Sequence, residues 1–325
     1  MLNYLLAILV GFGLLVWGSD RLVLGASAIA KNLGVSPLII GLTIVGIGTS
    51  APEMMLAGMA AWQGNPDVAI GNAIGSNIAN IGLVVGLTAL VIPLVVDSAT
   101  LRTEFRLMFA VLFLAWFLLW DGELSQTDGV ILIGSFGVLL GIMVYTGIKA
   151  QRTDSMNEEY QKTIPVLGMF PSVLWFFIGL VVLLLGSRAA VWGAVNAAQA
   201  LGVSDLVIGL TIIAVGTSLP ELGACITSAY KKEPDIAIGN VIGSNMFNLL
   251  PVLGLPGVIA PGNVPADVLL RDLPILLVLS IGLVVAGYGF RRPARINRWE
   301  GAVLLMIFFS YQGWLYLGEK GMRIF

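Results

Sequence analysis

Long apolar runs separated by short polar segments make up most of this chain. A helix of about 20 apolar residues is long enough to cross the hydrocarbon core of a bilayer, and stretches such as 130–148 and 302–317 approach that length. Tyr, Trp and Phe gather near the ends of several runs, as in interfacial belts. The pattern predicts an all-α polytopic membrane protein with ten transmembrane helices, near residues 4–30, 37–61, 67–93, 104–120, 126–149, 170–199, 205–229, 235–259, 270–290 and 299–318.

Composition supports a membrane environment. Of the 325 residues, 58% are hydrophobic and only 11% are charged, whereas soluble domains carry about 25% charged residues. A soluble protein this poor in charge could not cover its own surface. The net charge of −2 gives no sign of the excess of basic residues that nucleic-acid-binding proteins carry. We therefore expect the lipid bilayer as a partner, and no nucleic acid.

The distribution of Lys and Arg predicts the orientation. Three of these residues fall on one side of the predicted helices, Arg271, Lys320 and Arg323. Twelve fall on the other side, and these are Lys31, Arg102, Arg106, Lys149, Arg152, Lys162, Lys231, Lys232, Arg291, Arg292, Arg295 and Arg298. Because basic loops stay in the cytoplasm, we expect a multi-pass protein of the inner (plasma) membrane with both termini on the extracytoplasmic side.

The chain repeats itself at an offset of 168 residues. Segments 34–81 and 202–249 share 26 identities in 48 positions without a gap. A repeat this strong indicates a structural unit. Each unit holds five predicted helices, an odd number, so the second copy enters the membrane upside down, as in secondary transporters. The sequence thus predicts a first repeat over 1–150, a cytoplasmic loop over 151–169 and a second repeat over 170–325, forming one transport domain.

A Gly-Thr-Ser-x-Pro-Glu run lies inside an apolar helix of each repeat, at 48–53 and at 216–221. Proline lacks an N–H, so the carbonyls of Gly48 and Gly216 lose their helical partners. Freed carbonyls, hydroxyls and a carboxylate are hard oxygen ligands, of which calcium takes six to eight. A carboxylate within hydrocarbon is costly, so Glu53 and Glu221 point to function.

The next helix of each repeat supplies a polar face. Its side chains recur every four residues, which places them on one side of a helix. They are Asn72, Ser76 and Asn80 in the first repeat, and Asn240, Ser244 and Asn248 in the second. Taken alone, such residues are often structural, because Ser and Thr in membrane helices commonly bond their own backbone.

These doubled motifs resemble the two α-repeats of the calcium/cation antiporter superfamily, which includes the sodium/calcium exchangers. The resemblance covers the whole chain, and is greatest to the bacterial inner-membrane calcium/sodium antiporters. It implies exchange of calcium for sodium by alternating access. It also implies a cation site formed by Thr49, Ser50, Glu53, Ser76, Asn80, Thr217, Ser218, Glu221, Ser244 and Asn248.

Roles within this set are also implied by the resemblance. Glu53 and Glu221 would bind calcium together with the backbone of the two threonines, and the four serines would form sodium sites with carbonyls near Gly46 and Ala214. Asn80 and Asn248 complete the centre. Some exchangers carry Asp at the position of Asn248, so this site has two carboxylates rather than three, which leaves the sodium stoichiometry open.

Other functions are weighed against an antiporter. A cation channel would need a continuous pore, whereas an inverted repeat with internal carboxylates favours a carrier. An intramembrane hydrolase is disfavoured because the chain has no His, so we expect no enzyme activity and no cofactor, calcium and sodium being the transported ions. Calcium/proton exchange is the alternative that stays open within carriers, and the oligomeric state is not predicted.

Overall fold

The structure is a computed structural model, and it describes residues 1–95, 98–150, 167–202, 212, 214–287 and 295–319. Almost all of the described chain is helical. Its helices are α1 (Leu2–Leu33), α2 (Pro37–Thr49), α3 (Ala51–Trp62), α4 (Pro66–Val91), α5 (Ser98–Leu118), α6 (Gln126–Ala150), α7 (Met169–Ala200), α8 (Ala214–Thr217), α9 (Leu219–Tyr230), α10 (Pro234–Ile259), α11 (Val268–Gly287) and α12 (Arg298–Glu319).

Six of the described helices are long and apolar enough to cross a membrane, namely α1, α4, α7, α10, α11 and the Gln126–Met143 part of α6. The pair α2 and α3 makes a seventh if its two helices, bent by 41° at Ser50, form one span. The prediction of a polytopic helical membrane protein is therefore confirmed. The predicted helix 37–61 is broken, and much of the predicted helix 205–229 lies outside the described residues.

Proline and glycine set several of the helix boundaries. Pro37, Pro66 and Pro234 lie in the first turn of α2, α4 and α10, where the missing N–H costs nothing. Helix α1 ends at Gly34, whose φ of 67° is left-handed and whose N–H donates to the carbonyls of Ala30 and Lys31. Each boundary follows from the local sequence.

Four stretches within these helices are π-helical, a form that often marks functional sites. They are Gly41–Val45 in α2, Asn80–Val85 in α4, Asn248–Val252 in α10 and Val268–Asp272 at the start of α11. The second and third begin at residues exactly one repeat offset apart. The wider turn therefore belongs to the repeated unit, which the sequence did not predict.

Helices α1 and α7 form a long antiparallel pair along one side of the protein. Glycines recur every seven residues on both, at Gly11, Gly18 and Gly25 and at Gly179, Gly186 and Gly193. A Cβ added at Gly18 would lie 2.5 Å from the backbone nitrogen of Leu183. The two backbones are thus in direct contact, as small residues permit between membrane helices.

Helices α4 and α10 occupy the centre. Their most apolar stretches are 78% and 100% buried, against 22–39% for the other candidate spans. The two helices meet where their π-helical stretches begin, because each π-helical segment contacts the α-helical part of the other helix. Asn80 and Asn248, each 1% exposed, therefore lie in the buried region where these two helices meet.

Two short strand pairs join the halves of the chain. β1 (Leu94–Val95) pairs antiparallel with β4 (Arg295–Ile296), and β2 (Glu123–Leu124) pairs with β3 (Gly262–Asn263). Each pair links a connection in the first half to a connection in the second. The two connections of a pair must therefore lie on the same side of the protein.

Candidate cation-binding site

Both Gly-Thr-Ser-x-Pro-Glu runs lie at a break in a helix. Ser50 separates α2 from α3, and Ser218 separates α8 from α9. The breaks follow from Pro52 and Pro220, which cannot donate to the carbonyl four residues earlier. The released carbonyl of Gly216 accepts a hydrogen bond from the Ser187 hydroxyl at 3.2 Å. The second break thus turns the Gly216 carbonyl away from the helical ladder, as the sequence predicts.

Glu53 and Glu221 lie in the first turns of α3 and α9, and each is only 1% exposed. The N-terminal end of a helix favours negative charge. Within the described residues, Oε2 of Glu53 and both carboxylate oxygens of Glu221 have no hydrogen-bond partner, and neither side chain forms a salt bridge. The charge of Glu221 acts on Glu53, so the two carboxylates are electrostatic neighbours.

The first break of the chain packs against the polar helix of the other repeat. The Thr49 hydroxyl donates to Oδ1 of Asn240 at 3.0 Å and lies 3.4 Å from the Ser244 hydroxyl. Thr49 also lies beside the carboxyl group of Glu221. Segment α8, which contains Thr217, packs in turn against α4. Residues of both repeats therefore form one polar region.

Nine of the ten predicted ligands are buried, and Thr217 is half-buried. In the described part of the chain, unpaired side-chain atoms recur among them, at Ser50, Asn80, Ser218 and Asn248 besides the two glutamates. An unpaired buried polar atom costs about 1–3 kcal/mol, and folded proteins contain few. Their concentration here indicates that these oxygens serve a polar ligand.

The chemistry of this donor set suits a hard cation. Carboxylate, hydroxyl and amide oxygens are the ligands that calcium takes. Soft transition metals prefer thiolate or imidazole, and no group of three or more His, Cys, Asp or Glu side chains occurs among the described residues. Two carboxylates would balance one divalent or two monovalent ions.

Three residues that form hydrogen bonds in or beside this polar region were not among the predicted ligands, namely Asn240, Cys225 and Ala237. Asn240 accepts from Thr49, and its Nδ2 donates to the sulfur of Cys225 at 3.6 Å. The Cys225 thiol donates to the carbonyl of Ala237 at 3.3 Å. Cys225 therefore fixes the amide that orients Thr49. Its position one turn after Glu221 was the available signal, because residues four apart share a helical face.

Comparison with known proteins agrees with these features. The family described as "Sodium/calcium exchanger protein" matches residues 3–145 and 171–317. The two matched segments begin 168 residues apart, which is the offset of the repeat. The family match thus covers both halves of the chain.

Individual proteins match over nearly the whole length. CaxA of Alkalimonas amylolytica is 47% identical over 96% of this chain and 98% of its own. The inner membrane protein YrbG of Escherichia coli is 40% identical over 95% of each chain. The solved sodium/calcium exchanger of Methanococcus jannaschii has a TM-score of 0.81 and 33% identity, over 96% of this chain and 98% of its own.

Proposed function

Since the chain belongs to the sodium/calcium exchanger family, we propose that it exchanges calcium for sodium across the membrane as a secondary antiporter with alternating access. The broader activity, cation exchange involving calcium, is that of the family. Sodium as the counter-ion is the specific part of the proposal. Its support is the set of buried hydroxyl and amide oxygens, which are ligands for a monovalent cation as well as for calcium.

One observation carries the proposal. Glu53 and Glu221 are buried, unpaired by any cation of the described chain, and close enough for their charges to interact. Two neighbouring buried carboxylates without a countercharge are costly. A transported cation supplies that countercharge, and its departure must be compensated by another cation. This requirement couples the movement of one ion to that of the other.

In this proposal, the ten predicted ligands have different roles in binding calcium and sodium. Glu53 and Glu221 hold calcium with the threonine backbones, and the serine hydroxyls at 50, 76, 218 and 244 hold sodium. Asn80 and Asn248 are neutral, so the site charge stays at −2. One calcium ion, or two sodium ions, neutralises the site.

The architecture we propose is ten membrane-spanning helices in two inverted five-helix repeats, 1–150 and 170–325, joined by a cytoplasmic loop over 151–169. Both termini are extracytoplasmic in this arrangement. The strand pairs support it, because each joins two connections that the topology assigns to the same side. β1 and β4 fall on the cytoplasmic side, and β2 and β3 on the other. Placement in an inner membrane is supported by the similarity to YrbG.

Calcium/proton exchange is the second candidate, and the buried carboxylates favour it, because a carboxylate that releases calcium can bind a proton instead. Calcium-45 uptake into proteoliposomes separates the candidates. We expect uptake that depends on sodium inside the vesicles and persists when the pH is equal on both sides. Uptake driven by a pH gradient without sodium would establish proton coupling, and uptake without any counter-ion would indicate a channel.

A further inference from the structure

Polar side chains join helix α1 to helix α9 near the end at which α9 enters its connection to α10. The hydroxyl groups of Ser19 and Thr227 lie 2.7 Å apart. The ammonium group of Lys231 lies 2.7 Å from Oδ1 of Asp20, and it also donates to the backbone carbonyl of Asp20 at 3.0 Å. Thr227 and Lys231 are four residues apart, so they share one face of the helix. Helix α1 is thus attached to α9 by an ion pair and by hydrogen bonds.

Helix α9 links this attachment to the candidate cation site. It begins directly after the break at Ser218 and carries Glu221 in its first turn. Gly223 faces α1, because a Cβ added there would lie 3.7 Å from the Cβ of Ser19. The face of α9 that α1 covers therefore extends from the connection with α10 to within two residues of Glu221. Separation of α1 from α9 would uncover this face.

The equivalent face of the first repeat is uncovered in the structure. One repeat offset before the attached residues of α9, helix α3 and its C-terminal end carry Met55, Met59 and the exposed Gln63. The two methionines are 56% and 57% exposed. Arg188 of α7, which is the repeat equivalent of Asp20, is exposed as well. The two halves therefore differ, since α1 covers α9 whereas the same face of α3 is left open.

An inverted repeat permits a second conformation, in which the two halves exchange their arrangements. In that conformation α7 covers α3, and α1 separates from α9. Arg188 and Gln63 cannot form an ion pair there, because glutamine is neutral. We propose that Asp20 and Lys231 are positioning residues whose ion pair favours the conformation that is closed on the side of the α9–α10 connection. This side is cytoplasmic in the proposed topology, and the inference rests on the proposed function.

The strength of the ion pair sets the size of the expected effect. The side chains of Lys231 and Asp20 are 25% and 43% exposed, and partly exposed pairs shift an equilibrium by about two- to fivefold. Arg21, at 3.8 Å, is a second cation beside Asp20, but it belongs to α1 and joins no other helix. Calcium binds only those molecules that are open on its own side. Loss of the ion pair should therefore change the apparent affinities at the two faces in opposite directions.

The test measures calcium-45 uptake by inside-out and right-side-out membrane vesicles that contain the full chain. The two preparations report the half-saturating calcium concentration at the cytoplasmic and the extracytoplasmic face. In Lys231→Gln, we expect this concentration to fall about two- to fivefold at the cytoplasmic face and to rise at the other face. Lys231→Asp should shift both values at least as far, because two carboxylates then repel each other. Combining Lys231→Asp with Asp20→Lys restores the pair with exchanged charges, and both values should return to those of the parent.

Lys232→Gln is the matched control. Lys232 is the next residue, carries the same charge and is exposed, and it forms no salt bridge within the described residues. We expect both of its half-saturating concentrations to equal those of the parent.

Several results would overturn the role of the ion pair. Values for Lys231→Gln that equal those of an active parent, that change in the same direction at both faces, or that change in the reverse sense would each do so. A folded charge-exchanged variant no closer to the parent than Lys231→Asp alone would do so too. If that variant does not fold, the opposite shifts in Lys231→Gln decide the question. A parent that takes up no calcium in either preparation would instead refute the proposed function, and this inference with it.

Discussion

At the scale of single residues, the two buried glutamates provide the most direct test of the proposed cation site. Replacing Glu53 or Glu221 by Gln keeps the shape but removes half of the anionic charge. We expect calcium-45 uptake to fall by roughly two orders of magnitude, because a charged ligand in a buried site is worth several kcal/mol. The melting temperature without calcium should not fall, since a neutral amide is cheaper to bury than a carboxylate.

Glu123→Gln serves as the control for those variants, because Glu123 is exposed and lies on the β2 strand away from the site. It should transport calcium like the parent protein. Normal uptake by Glu53→Gln would refute the assignment of that residue, and unfolding of both site variants would point to a structural role.

Burial of the Glu233 carboxyl group predicts that the stability of the folded protein depends on pH. It lies between α9 and α10, is 6% exposed, and interacts with the Ser27 side chain of α1. Burial, helped by the negative charge of Asp235, raises the pKa of its carboxyl group to about 7 from 4.5. The protonated form is thus favoured in the folded protein, and stability is lost as pH rises through about 7.

We therefore expect Glu233→Gln to leave stability unchanged near pH 4.5 and to increase it above pH 7, by up to about 3 kcal/mol. Melting curves of both proteins between pH 4.5 and pH 8 measure the difference. A constant difference across that range would contradict the shifted pKa.

Lys232 occupies a backbone conformation that suits glycine. Its φ is +62°, and the equivalent residue of the first repeat is Gly64 with a φ of +78°. A side chain in this region costs about 1–2 kcal/mol. We expect Lys232→Gly to raise the melting temperature slightly and Gly64→Lys to lower it, as measured by thermal unfolding in detergent. Equal and opposite shifts of the two melting temperatures would agree with this expectation. An unchanged melting temperature in both variants would show that the backbone of the turn relaxes.

At the scale of whole helices, the contact between α1 and α7 depends on its glycines. A side chain at Gly18 would collide with the backbone near Leu183, whereas one at Gly13 would meet nothing within 4 Å. We expect Gly18→Leu to destabilise the protein by about 1–3 kcal/mol or more, as overpacking does. Gly13→Leu, on the same helix, should melt like the parent. If Gly18→Leu melted at the same temperature as Gly13→Leu, the two helices would be free to separate.

The helices show how far the sequence could predict the fold. Apolar runs located the helices, and Pro52 and Pro220 predicted the breaks, because both signals are local. The π-helical stretches at Asn80 and Asn248 could not be predicted, since one extra residue in a turn leaves the hydrophobic pattern nearly unchanged.

At the scale of the whole molecule, the site is divided between the halves. Thr49 of the first half bonds Asn240 of the second, and both strand pairs join one half to the other. We expect the two halves, expressed as separate chains cut between Asn157 and Glu158, to associate and restore calcium uptake. Either half alone should show none. Failure of the co-expressed halves to purify together would mean that the connection itself is needed for assembly.

The strand pairs also define the relation between the two halves of the chain. Each half behaves toward the other as a subunit behaves toward its partner, because both strand pairs lie between the two halves. The covalent connection then contributes only effective concentration, by keeping the partners together. In the proposed inverted arrangement, a gene encoding a single half precedes the fused form: two identical chains insert in opposite orientations, and fusion then allows each copy to specialise.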